Sequence, residues 1–297
     1  MITRQTCPVC NSTAISQQLV AEDYTVSHQP FAIWQCLSCT LRFTQAVPDA
    51  ASVGAYYQSD NYISHTNSQQ GFINRLYHYV RRSTLKKKLR LLRHITGLRT
   101  GQLLDIGAGT GAFAGTMHQA GWQVTGLEPD AATRERALAL HGIALASSDQ
   151  LFQLPAGSFD AITLWHVLEH VHELHAYIEQ AKILLKEKGR LLIAVPNYIA
   201  YDAAVYCQYW AAYDVPRHLY HFSPAAMKNL LQQHQLQLLD VQPMWYDSFY
   251  ISLLSSRYKS GKTNLPGAFL TGLISNIKAM FNKEKCSSVL YVIAKSH

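Results

Sequence analysis

The pattern of apolar and polar positions divides the chain into a short β-rich start, a helical stretch and a long α/β region. Residues 17–20 and 31–35 alternate in the manner of short strands. Between residues 71 and 94, apolar residues recur at about helical spacing among basic ones, which predicts one or two amphipathic helices. These apolar residues are Phe72, Ile73, Leu76, Tyr79, Val80, Leu85, Leu89 and Leu92.

From residue 102 onward, apolar runs of strand length alternate with helical patterns, as is typical of an α/β fold. Predicted strands cover 102–106, 123–127, the run after the turn at Gly157, then 190–195, 236–241 and 288–294. Residues 245–287 interrupt the last two strands and are rich in aromatic residues, so we expect them to form helices. Packing against the sheet edge is the favoured role for this insertion; a lid over the substrate and a peripheral membrane surface are alternatives.

Composition and charge narrow the class of protein. A chain of 297 residues with 48% hydrophobic and 15% charged residues predicts a folded domain with a small appendage. The net charge of +7 is concentrated in residues 81–93 and 259–285, where solvated helix faces are favoured over a nucleic-acid surface. The first residues lack the apolar core of a signal peptide, and no apolar run approaches the ~20 residues that span a bilayer. The sequence therefore predicts a cytoplasmic protein with reduced cysteines.

Four of the six cysteines occur as two C-x-x-C pairs, separated by residues 11–35. The pairs are Cys7 with Cys10 and Cys36 with Cys39. Each pair can present two thiolates to one ion, and two pairs complete a tetrahedral zinc site with no open position. The sequence therefore predicts a structural Zn²⁺ in a small zinc ribbon.

A glycine-rich turn follows the first strand of the α/β region, at Gly107, Gly109 and Gly111. Glycines at such a strand-to-helix turn permit positive φ angles and close approach of a ligand to the backbone. The spacing also fits the G-x-G-x-x-A form of a dinucleotide-binding turn, so a nicotinamide cofactor is an alternative. Asp105, at the end of the first strand, can pair with the ammonium group of a ligand that contains a methionine moiety. It therefore favours such a ligand over a nicotinamide cofactor. Glu128, which ends the second strand, can hold ribose hydroxyls of either cofactor.

The runs LLDIGAGTGAF, GLEPD, LPAGSFDAITLWHVLEHV and GRLLIAVPN resemble the successive motifs of class I S-adenosylmethionine-dependent methyltransferases. The resemblance covers about residues 100–200 and implies an α/β fold with a seven-stranded Rossmann-like sheet. It also implies the positions that hold the cofactor. These are Asp105, Gly107, Gly109 and Gly111 at the methionine end, Glu128 with Pro129 and Asp130 at the ribose, Asp149 with its two neighbours at the adenine, and His166 closing the pocket.

Two groups of histidines are candidates for removing a proton from a methyl acceptor. The first, His166-x-x-Glu169-His170, is similar to the E-x-x-E-H stretch of ubiquinone-pathway O-methyltransferases, which has been linked to a divalent ion. Because His166 replaces the first acid, the favoured interpretation is that Glu169 and His170 cap the next helix and pack beneath the pocket.

The second group lies in residues 213–224, which resemble the H-E-H-x-x-Y-F-S stretch of sugar C-methyltransferases, enzymes that also carry a four-cysteine head. His218 matches the second histidine of that stretch, and Arg217 replaces its glutamate. Arg217 is a candidate for holding a phosphate or carboxylate. We therefore take His218, His221 and His166 as candidate catalytic residues. The whole chain resembles a bacterial group of zinc-headed methyltransferases.

The predicted organisation is a zinc-ribbon module at 1–45, a connector with basic amphipathic helices at 46–98, and a methyltransferase domain at 99–297 with its insertion at 245–287. The leading hypothesis is transfer of a methyl group from S-adenosylmethionine to an oxygen or carbon of a small molecule such as a sugar, a polysaccharide precursor, a lipid or another metabolite. An NAD-dependent oxidoreductase and a zinc-ribbon module that binds nucleic acid or protein are the alternatives. Nucleic acid is not favoured as acceptor, because the strand after Gly157 ends in Leu-Trp-His and lacks the N/D-P-P-Y-type signature of many base N-methyltransferases.

Overall fold

A computed structural model describes residues 1–57 and 72–296, with backbone alone for 72–82. The apolar side chains expected on one helical face at Phe72, Ile73, Leu76, Tyr79 and Val80 therefore lie outside the described part. Two compact units are present. Among the described residues, the first comprises 1–57, 168–175 and 194–291, and the second comprises 72–167, 176–193 and 292–296.

The regular elements follow one another in an order close to that expected from the sequence. The strands are β1 (Ile15–Glu22), β2 (Pro30–Cys36), β3 (Arg42–Thr44), β4 (Gln102–Ile106), β5 (Gln123–Leu127), β6 (Phe159–Trp165), β7 (Leu185–Pro196), β8 (Tyr220–His221), β9 (Leu236–Pro243) and β10 (Ser288–Lys295). The helices are α1 (Phe72–Thr96), α2 (Ala112–Gln119), α3 (Ala131–His141), α4 (Leu174–Leu184), α5 (Tyr201–Tyr206), α6 (Pro224–Gln233), α7 (Asp247–Ser260) and α8 (Leu265–Phe281).

The first unit contains a four-stranded antiparallel sheet in the order β1-β2-β3-β8. Its turn between β1 and β2 is organised by Asp23, whose buried carboxylate accepts hydrogen bonds from the backbone N–H groups of residues 25–27. Strand β8 comes from far along the chain and pairs Tyr220 with Phe43 and His221 with Arg42. The histidine-rich loop is therefore anchored to the N-terminal sheet within this unit.

A mixed six-stranded sheet has the order β5-β4-β6-β7-β10-β9, and β4 pairs in parallel with both β5 and β6. Among the described residues this sheet has six strands, where the resemblance implied seven. Between α3 and the next strand the chain makes one parallel bridge, Ala146 with Leu127, and then turns at Ser147 into a 3-10 helix at Ser148–Gln153. The domain boundaries expected from the sequence remain predictions.

Strands β4 and β6 are buried along almost their whole length, as expected of central parallel strands. Leu103, Leu104 and Ile162 are fully buried. Two polar residues interrupt this apolar pattern, Asp105 on β4 and Thr163 on β6. Burying two polar side chains on adjacent central strands adds nothing to an apolar core, so the pair marks a candidate functional site.

The segment between β9 and β10 forms the antiparallel hairpin of α7 and α8 in the first unit. Helix α7 stops at Gly261, which adopts a left-handed conformation with φ of 71°. Helix α8 starts at Asn264, whose side chain accepts a hydrogen bond from the Gly267 N–H, and Pro266 stands in its first turn. None of the helices in the described ranges is long and apolar enough to cross a lipid bilayer.

Candidate cofactor and acceptor sites

Asp105 is a strongly perturbed carboxylate at the end of β4. Its side chain is 1% exposed and its Oδ1 accepts a hydrogen bond of 2.7 Å from the Thr163 hydroxyl. Burial raises the pKa of Asp105 from 3.8 to about 7, against the opposing effects of Thr163 and of Lys88. A carboxylate held this way gains from a cationic ligand, because a neighbouring positive charge restores its ionisation.

Glycine is needed at the three positions of the turn for different structural reasons. All three have positive φ angles, between 54° and 75°. A Cβ on Gly107 would lie 2.4 Å from Cγ2 of Val167, and one on Gly111 would lie 2.9 Å from the Cβ of Ala137, so packing excludes a side chain at both. A Cβ on Gly109 would meet no described atom within 4 Å. Gly109 therefore exposes backbone on the side from which a ligand can approach.

Glu128 links the end of β5 to this turn. Its Oε2 accepts a 2.9 Å hydrogen bond from the Gly109 N–H, and its Oε1 accepts one of 3.1 Å from the Asp130 N–H. Burial raises the pKa of Glu128. Asp130 in turn caps α3 by accepting a hydrogen bond from the Thr133 N–H. Each carboxylate oxygen of Glu128 has capacity for a further hydrogen bond, as a ribose diol requires.

The remaining residues assigned to the cofactor by resemblance lie in the same unit. Pro129 follows Glu128, and its carbonyl accepts a hydrogen bond from Arg134. Asp149 is exposed in the 3-10 helix after Ser147 and accepts a hydrogen bond from the Ser147 hydroxyl. His166 directly follows β6 and has a φ of 56°, a conformation that is uncommon for residues other than glycine.

A cation and two aromatic rings lie beside these groups. The Lys88 ammonium is 3.6 Å from the centre of the Trp165 ring, and Trp165 packs edge-to-face on Phe113 with ring centres 5.4 Å apart. Lys88 was expected on a solvated helix face; this was wrong, because the side chain is partly buried against Trp165. Neither Lys88 nor Thr163 carries a local sequence signal, since both reach the site through tertiary packing.

His218 and His221 of the first unit differ in how their rings are held. The Nδ1 of His218 lies 2.8 Å from the carbonyl of Ala212, which can only accept, so Nδ1 carries the proton and Nε2 is the basic nitrogen. The Thr44 hydroxyl donates to the His218 carbonyl at 2.7 Å. It must therefore accept from Nε2 of His221, 3.0 Å away. His221 is 3% exposed, and burial holds its pKa well below 6.5.

Glu169, His170 and His218 form a cluster of three possible ligands, with one ligand atom from each within 4.8 Å of the others. A carboxylate with two imidazoles suits a divalent transition metal. His170 Nδ1 lies 3.1 Å from the Arg217 carbonyl, and burial lowers the pKa of His170 to about 4. The expectation that Glu169 and His170 cap the next helix was wrong, because they lie in the 3-10 helix Leu168–His170 and α4 starts only at Leu174.

Arg217 holds carboxylates of the protein itself. Its side chain is 1% exposed, and its Nη2 donates to Asp23 at 2.9 Å and to Asp214 at 2.7 Å. Its Nε donates to Asp214 at 3.1 Å, and its Nη1 donates to the Tyr56 carbonyl at 2.8 Å. Although burial opposes its charge, the two aspartates raise the pKa of Arg217. The expectation that Arg217 binds a phosphate or carboxylate of a substrate was therefore wrong, because its guanidinium nitrogens already donate to groups of the protein.

The four N-terminal cysteines converge on one point in the first unit. Sγ–Sγ distances of 3.5 Å separate Cys7 from Cys39 and Cys10 from Cys36, and all four sulfurs lie within 4.8 Å of one another. A Zn–S bond of about 2.3 Å places the sulfurs of a tetrahedral site about 3.8 Å apart. The N–H groups of Val9 and Cys39 donate to sulfurs of the cluster. The donor set and its spacing fit a tetrahedral zinc ion.

The family model described as a methyltransferase domain matches residues 76–241, more than half of the chain. The chain belongs to this methyltransferase-domain family. The matched region contains both the turn with Asp105 and Glu128 and the loop with His218. It leaves out the four cysteines and helices α7 and α8.

Curated relatives and solved structures agree with this membership of the methyltransferase-domain family. A "Ubiquinone biosynthesis O-methyltransferase" of Xanthomonas oryzae pv. oryzae is 32% identical over 160 residues, covering 49% of this chain and 66% of the relative. The same description applies to a Xanthomonas axonopodis pv. citri protein that is 31% identical over 159 residues, again covering 49% and 66%. The chain thus spans just under two thirds of the length of these relatives.

Two solved methyltransferases share the fold of this chain. Magnesium protoporphyrin IX methyltransferase from Synechocystis, with S-adenosylhomocysteine bound, gives a TM-score of 0.54 at 16% identity, covering 84% of this chain and 100% of its own. The 1,6-didemethyltoxoflavin-N1-methyltransferase of Burkholderia thailandensis gives 0.50 at 16% identity, covering 93% and 100%. At these identities the likeness establishes the α/β methyltransferase fold.

Proposed function

We propose that the protein is an S-adenosylmethionine-dependent methyltransferase with a small-molecule acceptor. The observation that carries this proposal is the pair of buried acids around the glycine turn. Asp105 ends the central strand β4, and Glu128 accepts the N–H of Gly109 from the end of the neighbouring strand β5. One acid suits an ammonium and the other a ribose diol, and family membership supports the same cofactor.

In this proposal the residues of the second unit bind and orient the cofactor. Asp105 receives the methionine ammonium, which relieves the unfavourable ionisation of its buried carboxyl. Lys88 and the free N–H groups at the start of α2, where Gly111 offers no capping side chain, attract the methionine carboxylate. Glu128 and Pro129 hold the ribose, Asp149 borders the adenine, and His166 borders the same pocket. The bound cofactor supplies an electrophilic methyl group on a sulfonium.

For the acceptor we propose that His218 is the general base and that His221 positions it. The Nδ1–H of His218 is fixed by Ala212, so Nε2 is ready to take a proton from a hydroxyl. His221 is suited to positioning because its Nε2–H is committed to Thr44, which bonds the His218 backbone. The description of the relatives as O-methyltransferases favours an oxygen acceptor over carbon. The acceptor classes in this proposal are sugars, polysaccharide precursors, lipids and other small metabolites.

We further propose that Cys7, Cys10, Cys36 and Cys39 hold one structural zinc ion. The four sulfurs leave no position open for water, so the ion would stabilise the N-terminal sheet and take no part in methyl transfer. Measuring the metal content of purified protein tests this directly. We expect one zinc per chain, lowered in Cys36→Ser and unchanged in Cys207→Ser, whose sulfur is exposed and distant in sequence.

Calorimetric titration of the zinc-loaded protein with S-adenosylhomocysteine, with NAD in parallel, tests the cofactor. We expect micromolar binding of the former that is at least tenfold weaker in Asp105→Asn and in Glu128→Gln. Glu135→Gln, which removes an exposed carboxylate of α3, is the matched control and should bind as the wild type does. Binding of NAD alone would make the turn a dinucleotide site. Binding of neither compound would also contradict the proposal.

The role of His218 is tested by His218→Gln and His221→Gln with a hydroxylated acceptor. We expect His218→Gln to lower kcat by at least a hundredfold while leaving S-adenosylhomocysteine affinity unchanged. His221→Gln should lower kcat less, and should retain the pH dependence of the wild type. Equal activity of His218→Gln and wild type would exclude His218 as the base.

A further inference from the structure

Helix α8 turns its large apolar residues outward. Seven of them are 39–88% exposed, and Phe281 and Met280 are the most exposed at 88% and 73%. Their spacing places them on one side of the helix. We call this set the apolar stripe: Leu265, Phe269, Leu270, Leu273, Ile277, Met280 and Phe281.

The opposite side of α8 is buried through small residues: Ala268, Gly272, Ser275 and Ala279. A Cβ on Gly272 would lie 2.8 Å from the Phe249 ring, so α7 and α8 touch at close range. Helix α7 likewise buries serines, at positions 248, 252, 255 and 256. An ordinary amphipathic helix buries its large apolar residues and exposes its polar ones, whereas α8 has the reverse arrangement. Helix α7 buries Ile251 as well as its serines and holds α8 through the small residues. Small residues between helices and apolar residues outside are the pattern of helices packed in lipid.

The charge of the hairpin is mainly positive. From Asp247 to Glu284 it contains five cationic residues, Arg257, Lys259, Lys262, Lys278 and Lys283, and its two acids are Asp247 and Glu284, one at each end. Three of these lie near the loop between the helices and two lie near the end of α8. Lys278 stacks on Tyr201 and Lys283 lies 3.7 Å from Asp240, while the other three belong to exposed or partly exposed turns of α7 and its loop.

Exposed aromatic residues complete the surface at the start of α7. Trp245, Tyr246 and Tyr250 are 38–48% exposed. The Trp245 carbonyl accepts a hydrogen bond from Asn276, which places the start of α7 beside the C-terminal half of α8. Tryptophan and tyrosine are favoured where an apolar interior meets lipid headgroups.

We infer that the α7–α8 hairpin docks on an anionic lipid bilayer, with the apolar stripe in the headgroup and upper acyl region and the cationic residues against the headgroups. An apolar helix face with basic residues at its borders binds such membranes through both interactions. A second copy of the chain would present the same positive charge, so repulsion disfavours it as the occupant. The hairpin belongs to the first unit, and its docking on lipid does not depend on the proposed methyl transfer.

Flotation of the full-length, zinc-loaded protein with vesicles tests the inference. Vesicles of phosphatidylcholine with a quarter phosphatidylglycerol are compared with pure phosphatidylcholine at 0.1 M salt. We expect at least tenfold tighter binding to the anionic vesicles, and release in 0.5 M salt. Leu270→Gln combined with Met280→Gln should weaken the binding at least tenfold, since these side chains of the apolar stripe are 55% and 73% exposed.

Two controls show whether the apolar stripe itself is responsible for vesicle binding. Leu140→Gln removes a leucine that is 63% exposed on α3 and should bind vesicles as the wild type does. The Leu270/Met280 double variant should retain the circular dichroism spectrum and the melting temperature of the wild type, which shows that it is folded. Absence of vesicle binding, equal binding to neutral and anionic vesicles, or self-association that the double variant abolishes would each overturn the inference.

Discussion

Replacing Asp105 by asparagine has a consequence for stability that can be worked out from the structure. The carboxyl is 1% exposed, and burial raises its pKa from 3.8 to about 7. One pKa unit corresponds to about 1.4 kcal/mol, so the ionised carboxylate costs the folded protein roughly 4 kcal/mol relative to the unfolded chain. Asparagine keeps the oxygen that accepts the Thr163 hydrogen bond and has no charge to bury. We therefore expect Asp105→Asn to be the more stable protein at pH 8.

The sign of the pH dependence follows from the raised pKa. Between pH 3.8 and pH 7 the folded protein keeps a proton that the unfolded chain has released. The contribution of Asp105 to the free energy of unfolding therefore falls as the pH rises through this range and is level above it. Between pH 5 and pH 8 the wild type should lose about 2–3 kcal/mol relative to the variant.

Urea denaturation at pH 5, 6, 7 and 8 without cofactor measures this difference. Tryptophan fluorescence follows both units, because Trp122 and Trp165 lie in the second unit and Trp34, Trp210 and Trp245 in the first. Glu135→Gln is the control, because its exposed carboxylate should give a curve parallel to the wild type. A constant difference between Asp105→Asn and wild type across the four pH values would refute the reasoning. Gain of stability with loss of cofactor affinity in the same variant is the expected outcome.

Three further perturbations test other parts of the structure. Gly107→Ala should destabilise the protein by about 2–4 kcal/mol, because its Cβ would meet Val167. Gly109→Ala should destabilise it by only about 1 kcal/mol but should weaken the binding of S-adenosylhomocysteine. Urea denaturation measures the stability of the two variants, and calorimetry measures their binding. Arg217→Lys should cost about 3 kcal/mol, measured by urea unfolding at pH 7, because an ammonium cannot replace the fork that holds two buried aspartates; a loss under about 1 kcal/mol would contradict this. Removing zinc with a chelator should lower the melting temperature by about 10 °C or more, and a melting curve that is identical with and without chelator would exclude a stabilising ion.

The features that could be predicted from the sequence are those that depend on a few adjacent residues. The glycine turn after an apolar strand, with Asp105 before it, could be located from the sequence because strand, turn and helix are local. The α/β fold with a Rossmann-like sheet followed from the resemblance, and the mixed sheet and the solved methyltransferases confirm it. The four cysteines were grouped correctly in the same way, since each C-x-x-C pair brings its own sulfurs together.

What the sequence missed depends on contacts between distant positions. Thr163 lies 58 residues from Asp105, and no periodicity indicates that its hydroxyl would meet that carboxylate. Arg217 was expected to face a substrate, but its main partner outside its own loop, Asp23, is 194 residues away. His218 joined Glu169 and His170 only because the chain folds back between them. The apolar residues of α8 were recognised, but their outward orientation depends on which small residues the helix buries.

The pairing of β3 with β8 affects how the protein can be made. Arg42 and Phe43 emerge from the ribosome early, and their partners His221 and Tyr220 are synthesised about 180 residues later. At a synthesis rate of about 5–20 residues per second, the edge of β3 remains unpaired for roughly ten seconds or more. An unpaired strand edge is a site for wrong association. The nascent chain is therefore expected to depend on chaperones, or on early metal capture by its cysteines, during that interval.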